Sequence, residues 1–249
     1  MLNKTIFHSK FKKRLLSLNE SIYMKNCLRK FFNLQEYEGK VLFKKYGLNV
    51  EECYLVKTTE EALYYSEKFK NQAFMKCQVH AGGRGKGHLT SGLQGGVQLC
   101  KTTEDVKKFS KQMLGHNLIT IQTPKEGLLV KSLLIAEVID VKKQFYLAIL
   151  LDRQYQGPVV LSSNEGGMDI EEVAKKKPES IIYTPIDVRK GITEENMKNI
   201  VSKLNFTDYE RTQAVEQIKK LYELFIKHDV TQLEINPWAA DSKGKVKFF

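Results

Sequence analysis

Strand-like segments dominate the middle of the chain. Between residues 118 and 163 the patterns LITIQT, LLVKSLLIAEVI, QFYLAILLD and GPVVLSS follow one another with only short polar pieces between them. Such short connections favour antiparallel pairing, because a parallel pair needs a much longer crossover. Helix and strand patterns alternate before this run, and three helical patterns follow it near 168–176, 193–204 and 208–228. This order predicts an α+β protein of two layered subdomains, with a parallel α/β fold as the alternative.

Local signals predict where several elements begin and end. Asn33 precedes a helical pattern, Glu36 stands three residues later as its reciprocal capping partner, and Gly47 ends the pattern. A Thr-capped helix is predicted from about Thr59. Because proline lacks the N–H that a sheet ladder needs, Pro237 is expected to end the strand that contains LEINP.

The positive charge is concentrated at the N-terminus. The chain has 249 residues and a formal net charge of +11, and its first 31 residues carry eight basic side chains and one acid, which is +7 of that total. A basic, acid-poor segment of this kind predicts a mitochondrial transit peptide over residues 1–32, with a disordered basic arm as the alternative. The rest is close to balanced, which argues against nucleic-acid binding. No apolar run of about 18 residues predicts a membrane span.

A glycine-rich segment follows one predicted strand. Residues 76–87 read KCQVHAGGRGKG, with four glycines around Arg84 and Lys86. Glycine permits positive φ and close backbone approach, so consecutive N–H groups can converge on an anion that the basic side chains neutralise. The spacing fits neither GxxxxGK[ST] nor GxGxxG. The segment is predicted to be a flexible phosphate-binding loop, with a mobile hairpin tip as the alternative.

Strand alternation selects three further candidates. In AFMKCQVH the residues alternating with Lys76 are apolar, so Lys76 points away from the core and either contacts a phosphate or stays solvated. In LEINPW, Glu234 and Asn236 share one face. Two oxygen ligands at this spacing can form half of a Mg²⁺ site. An amphipathic edge strand is the alternative reading of LEINPW.

Several long motifs, taken in order, resemble one known family. These motifs are NLQEYEGKVLFKKYGL, KCQVHAGGRGKG with TSGLQGGV, QTPKEG, YLAILLDR with GPVV, EGGMDIEEVA and LEINPW. Together they resemble the nucleotide-binding half of the β subunit of succinyl-CoA ligase, an ATP-grasp protein, over residues 33–249. The resemblance implies two α+β subdomains with the nucleotide cleft between them. Residues 51–139 would form the inner subdomain with the glycine loop, and residues 33–50 with 140–249 the second subdomain with the Mg²⁺ strand.

The resemblance also implies an activity and its site. The implied reaction interconverts succinyl-CoA, nucleoside diphosphate and phosphate with succinate, CoA and nucleoside triphosphate in the mitochondrial matrix, through a phosphohistidine on a partner α subunit. ATP or ADP, or GTP or GDP, would bind with Mg²⁺. The implied site residues are Lys76, Gly83, Arg84 and Gly85 for the phosphates, Glu137 for the purine, Gln144 for the ribose, Asn236 for Mg²⁺, and Glu234 for the phosphohistidine.

Two departures from the family pattern keep alternatives open. Gln144 stands where the family commonly has a Glu, and a neutral acceptor makes a weaker hydrogen bond to the ribose than a carboxylate does. The second Mg²⁺ ligand of the family, an Asp, and the C-terminal CoA-ligase domain are expected to be absent from this sequence, which predicts an inactive fragment. The alternatives are a non-catalytic nucleotide-binding or assembly module, or the ATP-grasp part of a malate- or citrate-CoA ligase.

Overall fold

Antiparallel strands form three sheets in the computed structural model, which describes residues 33–167 and 170–249. The helices are α1 (Glu36–Lys45), α2 (Thr59–Glu67), α3 (Thr103–Met113), α4 (Ile170–Lys176), α5 (Glu194–Ser202) and α6 (Asp208–Lys227). The strands are β1 (Cys53–Val56), β2 (Ala73–Cys77), β3 (His88–Leu89), β4 (Val97–Cys100), β5 (Asn117–Ile119), β6 (Leu128–Leu129), β7 (Leu133–Glu137), β8 (Val141–Asp152), β9 (Gly157–Ser163), β10 (Ile181–Pro185), β11 (Gln232–Asp241) and β12 (Val246–Phe248). The predicted α+β class is confirmed, because the pairings between these strands are antiparallel. The predicted transit peptide lies outside the described residues.

The four-stranded sheet has the order β1-β7-β2-β4 and carries its core on one face. Alternate residues of β2, namely Ala73, Met75 and Cys77, are buried as the sequence predicts. They belong to a hydrophobic cluster that also includes Val106 of α3. Lys76 therefore leaves the opposite face of the strand, toward α1.

The five-stranded sheet has the order β10-β9-β8-β11-β12 and packs against the last two helices. The predicted stripe of α6 faces this core and consists of Ala214, Ile218, Leu221 and Phe225. Four rings, the aromatic quartet, pack within the same core: Phe145, Phe206, Trp238 and Phe248. Trp238 lies two residues after Asn236, so the quartet anchors the strand that carries the predicted metal ligand.

Helix α1 begins at a different residue from the predicted one. Its N-cap is Gln35, whose backbone N–H donates to Glu38 Oε2 at 2.7 Å, so the predicted pairing of Asn33 with Glu36 is wrong. The shift leaves the Glu36 side chain available for contacts outside the helix. The predicted helix end is confirmed, because Gly47 adopts a φ of +65°. Within 33–167 and 170–249, no helix combines the length and apolarity needed to span a membrane.

The strand expected to end at Pro237 continues through it. β11 runs to Asp241, and its pairing with β8 shifts register between Ile235 and Trp238. Pro237 lies inside this irregularity, where its missing N–H interrupts no regular ladder bond. Asn236 lies in the same irregularity and is thus set off from the regular sheet.

A short segment after α1 joins the two larger sheets. Val50 forms an isolated bridge with Phe248 of β12, and the Glu51 N–H donates to the Phe248 carbonyl at 3.3 Å. A second link is the ion pair between Lys247 Nζ and Glu137 Oε1, at 3.2 Å. The edge strand β12 therefore contacts residues just before β1 and the last residue of β7, which are the first and last strands in sequence of the four-stranded sheet.

Candidate functional site

Two cations near the glycine-rich segment converge on one carboxylate. Lys76 Nζ lies 3.0 Å from Glu36 Oε1, and a terminal nitrogen of Arg84 lies 2.5 Å from Glu36 Oε2. The other terminal nitrogen of Arg84 donates to the Cys77 carbonyl at 2.8 Å. Lys76 comes from β2, Arg84 from the turn after it, and Glu36 from the first turn of α1. The fold thus brings two predicted phosphate ligands together around a negative group.

Two further charges lie beneath this contact. Lys40 and Glu51 are only 4% and 1% exposed and form an ion pair with each other. Lys40 Nζ also lies 2.5 Å from Glu36 Oε1, and Lys76 Nζ lies 3.3 Å from Glu51 Oε1. We call these five residues, Glu36, Lys40, Glu51, Lys76 and Arg84, the charge cluster. It contains three cations and two anions, so its net charge is +1.

Two members of the charge cluster, Glu36 and Lys40, are held in their charged forms by their neighbours. Burial alone would raise the pKa of Glu36, but the positive charges of Lys76, Lys40 and Arg84 hold that pKa well below its usual range. Burial alone would lower the pKa of Lys40, but the negative charges of Glu36 and Glu51 raise it. Glu36 and Lys40 are therefore both ionised at neutral pH.

The glycine-rich segment forms a tight turn beside the charge cluster. Gly83 adopts a left-handed φ of +69°, and a 3₁₀ turn over Arg84–Lys86 follows it. A left-handed residue followed by right-handed ones is a backbone conformation in which successive N–H groups can converge on an anion. The N–H groups of Lys86 and Gly87 donate within the turn, to the carbonyls of Gly83 and Arg84. The second glycine run braces this turn, because the Gly96 N–H donates to the Arg84 carbonyl at 2.7 Å. The predicted flexibility of the segment stays a prediction.

A second group of candidates lies on one face of the five-stranded sheet. Glu234 pairs with Ala148 across β11 and β8, so it shares a face with Gln144 and Tyr146. Asn236 belongs to this group as well, because the Gly167 N–H donates to Asn236 and a Cβ added at Gly167 would collide with the Gln144 side chain. We call Gln144, Tyr146, Glu234 and Asn236 the sheet-face group.

The buried Tyr146 side chain forms a hydrogen bond with the exposed carboxylate of Glu234. Tyr146 is only 4% exposed, and its hydroxyl forms a hydrogen bond with Glu234. Burial, and then the charge and hydrogen bond of Glu234, raise the pKa of Tyr146. The hydroxyl therefore stays protonated and donates a hydrogen bond to the carboxylate. This bond limits the orientations available to Glu234.

Gly167 bonds to Asn236, and its neighbour Gly166 lies against β8. The Gly167 N–H donates to Asn236 Oδ1 at 2.6 Å. A Cβ at Gly166 would lie 2.3 Å from the Phe145 nitrogen and 2.5 Å from the Gln144 carbonyl carbon, both backbone atoms. The segment therefore crosses β8 so closely that only glycine fits at 166.

The close crossing predicts a specific cost for one methyl group. Replacing Gly166 by alanine should lower the free energy of unfolding by about 1–3 kcal/mol, because the clash is with backbone and cannot be relieved by a rotamer change. Gly39→Ala is the matched control, since a Cβ there meets nothing within 4 Å and lies inside α1. The control should gain about 0.5–1 kcal/mol from helix propensity. Urea denaturation of both variants measures the difference, and equal stabilities would contradict the close crossing.

Comparison with known proteins identifies the fold around these two groups. A family model described as an ATP-grasp domain matches residues 33–240, which is most of the chain. The chain belongs to the ATP-grasp family. The candidatus Korarchaeum cryptofilum ACD1 structure, solved in complex with coenzyme A, matches with a TM-score of 0.62 at 18% identity, covering 86% of this chain and 89% of that one. The predicted ATP-grasp fold is therefore confirmed.

Two curated relatives of this ATP-grasp chain are β subunits of succinate–CoA ligase. Both are mitochondrial proteins of Dictyostelium discoideum and both are 44% identical to the chain. The match to the GDP-forming subunit covers 87% of this chain and 52% of the relative, and the match to the ADP-forming subunit covers 99% and 55%. The resemblance read from the motifs is confirmed. The chain spans about half the length of these relatives, and its equal identity to both does not separate ADP from GDP.

Glu137 of the ATP-grasp domain has its side-chain contacts outside both groups. It is the last residue of β7, and its Oε1 accepts the Glu52 N–H at 2.9 Å and pairs with Lys247. These contacts place Glu137 where the chain passes from the four-stranded sheet into β8. The expectation that it lies beside a purine stays a prediction.

Sequence reasoning missed three residues of this ATP-grasp site. Glu36 was interpreted only as a capping partner, and no local pattern connects it with Lys76, 40 residues later. Tyr146 could have been found, because it follows Gln144 by two residues and so shares its strand face. For Gly167 the signal was weaker and consisted of the two consecutive glycines in EGGMDIEEVA. Met168 and Asp169 of this motif lie outside the described residues.

The oxygen donors of the site can supply part of a shell for the Mg²⁺ that the family implies. Among residues 33–167 and 170–249, no three His, Cys, Asp or Glu side chains converge to hold a metal alone. Mg²⁺ commonly takes one or two protein oxygens and completes its shell with water and substrate phosphates. The exposed Asn236 amide oxygen suits that role, provided that it exchanges the Gly167 N–H for the ion.

Proposed function

We propose that the chain is the nucleotide-binding part of a succinate–CoA ligase β subunit. With an α subunit, the protein would interconvert succinyl-CoA, nucleoside diphosphate and phosphate with succinate, CoA and nucleoside triphosphate. The observation that carries the proposal is the convergence of Lys76 and Arg84 on one carboxylate beside the glycine turn. Paired cations next to a turn whose N–H groups can converge on an anion match the needs of a polyphosphate. The names of the 44% identical relatives supply the reaction.

The charge cluster and the glycine turn would hold the phosphates. Lys76 and Arg84 neutralise the oxygens, and the backbone of Gly83 and Gly85 approaches them without steric hindrance from a side chain. Phosphoryl transfer needs mainly positioning and neutralisation of charge, and little covalent chemistry from the protein. This end of the site therefore needs fixed cations more than a general base.

The sheet-face group would serve the metal, the ribose and the partner histidine. Asn236 would hold Mg²⁺, which neutralises phosphate charge when bound. Glu234, oriented by Tyr146, would face a phosphohistidine of the α subunit and stabilise its cationic ring. Gln144 would accept a hydrogen bond from the ribose, and Glu137 would lie beside the purine.

The same proposal assigns subdomains, partner and location. Residues 51–139 would form one subdomain, and residues 33–50 with 140–249 the other, with the nucleotide between them. Separate hydrophobic clusters, one around Met75 and one around Phe145, support this division. The word "subunit" in the relatives' names supports an α subunit partner, and their mitochondrial names support the matrix.

Thermal denaturation with Mg-ADP and with Mg-GDP tests the proposal. A ligand at about 100 times its Kd stabilises the folded state by about 2.7 kcal/mol. For a domain of this size that should raise Tm by roughly 5–10 °C. Lys76→Ala and Asn236→Ala should each lose most of the shift, because one removes a phosphate partner and the other the metal ligand.

Lys101→Ala is the matched control, because Lys101 is exposed and lies outside both groups. Its Tm shift should equal that of the wild type. Equal shifts in the wild type, Lys76→Ala and Asn236→Ala would remove the site assignment, and no shift in the wild type with either nucleotide would refute the proposed function.

A further inference from the structure

Glu36 occupies the position of an anion in the charge cluster. Its two carboxylate oxygens meet Lys76 and Arg84 separately, at 3.0 and 2.5 Å. An ammonium and a guanidinium held on one two-oxygen group reproduce the way these cations bind a phosphate. A side chain of the protein thus fills the position in which the proposed function requires a ligand.

The cluster has a buried half and an accessible half, and Glu36 belongs to the accessible one. Lys40 and Glu51 are 4% and 1% exposed, whereas the side chains of Glu36, Lys76 and Arg84 are 15%, 14% and 21% exposed. A solute can therefore reach the outer three residues without opening the buried pair.

Both outer cations have a second anchor that does not involve Glu36. Lys76 keeps Glu51 at 3.3 Å, and Arg84 keeps the Cys77 carbonyl at 2.8 Å. Lys40 likewise keeps Glu51. The cations would stay in place if Glu36 left, so its carboxylate is the exchangeable partner in the cluster.

We propose that Glu36 is a specificity-determining residue, an internal anion that a ligand must displace from Lys76 and Arg84. The inference rests on the proposed function and adds a selection rule to it. A monophosphate or other small anion gains only the contacts that Glu36 gives up. A polyphosphate also reaches the N–H groups of the glycine turn, so it can displace the carboxylate where a single phosphate cannot.

Calorimetric titration of the chain with inorganic phosphate and with tripolyphosphate, both without metal, tests this rule. The wild type should bind tripolyphosphate far more tightly than phosphate. Glu36→Gln should bind phosphate on the order of tenfold more tightly, because a negative charge next to the anion is removed. Its gain for tripolyphosphate should be smaller, so the ratio of the two affinities falls. Glu60→Gln is the control, because Glu60 is exposed in the first turn of α2 and its loss changes the net charge equally.

Glu36→Asp keeps the buried charges balanced if Glu36→Gln folds poorly. Its shorter side chain withdraws the carboxylate from the cations, so phosphate should bind roughly two- to threefold more tightly. Unchanged or weaker phosphate binding in a folded Glu36 variant overturns the inference, because Glu36 would then help to build the site. A wild type that binds ADP while its Glu36 variants gain nothing refutes only this inference, whereas a wild type that binds no nucleotide refutes the proposed function.

Discussion

Replacing Lys40 by methionine is expected to lower the free energy of unfolding by about 3–5 kcal/mol. Methionine keeps most of the side-chain length but removes the ammonium group that pairs with both Glu36 and Glu51. Glu51 is 1% exposed and cannot regain water in the folded state. Removing one partner of a buried ion pair costs far more than the pair contributes, and the Glu51 carboxylate would keep only the longer contact with Lys76, at 3.3 Å, within the charge cluster. Urea denaturation at neutral pH measures the loss.

Two comparisons separate charge balance from ordinary packing loss. Lys44→Met lies on the same helix but is exposed, so its stability should stay within about 0.5 kcal/mol of the wild type. Adding Glu51→Gln to Lys40→Met should recover part of the loss, because the second change removes the buried carboxylate that has lost its nearest cation. A loss below about 1 kcal/mol for Lys40→Met alone would show that water or neighbouring cations replace the ammonium.

Replacing Trp238 by alanine is expected to cost about 3–5 kcal/mol of stability. Trp238 is fully buried and its ring lies 5.1 Å from that of Phe206 and 5.9 Å from that of Phe248. Alanine would leave a cavity at the centre of the aromatic quartet. Because Asn236 is two residues away on the same strand, Mg-ADP should also stabilise this variant less than the wild type.

Trp238→Phe provides the matched comparison. Within the described part of the chain, the Trp238 Nε1–H has no hydrogen-bond partner. Phenylalanine removes that unsatisfied donor while it keeps most of the ring contacts, so the cost should be only about 1–2 kcal/mol. Equal losses for both replacements would mean that the indole nitrogen, through a bound water, contributes as much as the ring.

The fold was largely predictable because its signals are local. Alternation in β2, the apolar stripe of α6 and the cap signal at Gly47 each depend on neighbours within a few residues, and each is confirmed. The two errors also have local causes. A residue with good capping chemistry, Asn33, lies two positions before the true cap, and Pro237 is tolerated where the register of β11 shifts.

The candidate site was predictable only in part, because its contacts join distant segments. Lys76, Arg84, Glu234 and Asn236 could be selected from strand faces, glycine spacing and family resemblance. The partner that Lys76 and Arg84 share, Glu36, comes from a helix 40 or more residues earlier. Sequence periodicity predicts the strand or helix face on which a side chain lies. It does not predict which residue from a distant segment will pack against that side chain in the folded protein.

Glu51 participates in two structures at once. Its N–H is bonded to the Phe248 carbonyl of β12, while its carboxylate lies between Lys40 and Lys76. The backbone contact between the two sheets and the spacing of two ammonium groups therefore depend on the same residue. Together with the Val50 bridge and the Lys247–Glu137 ion pair, Glu51 thus links the edge of one sheet to the charges that an incoming anion would meet.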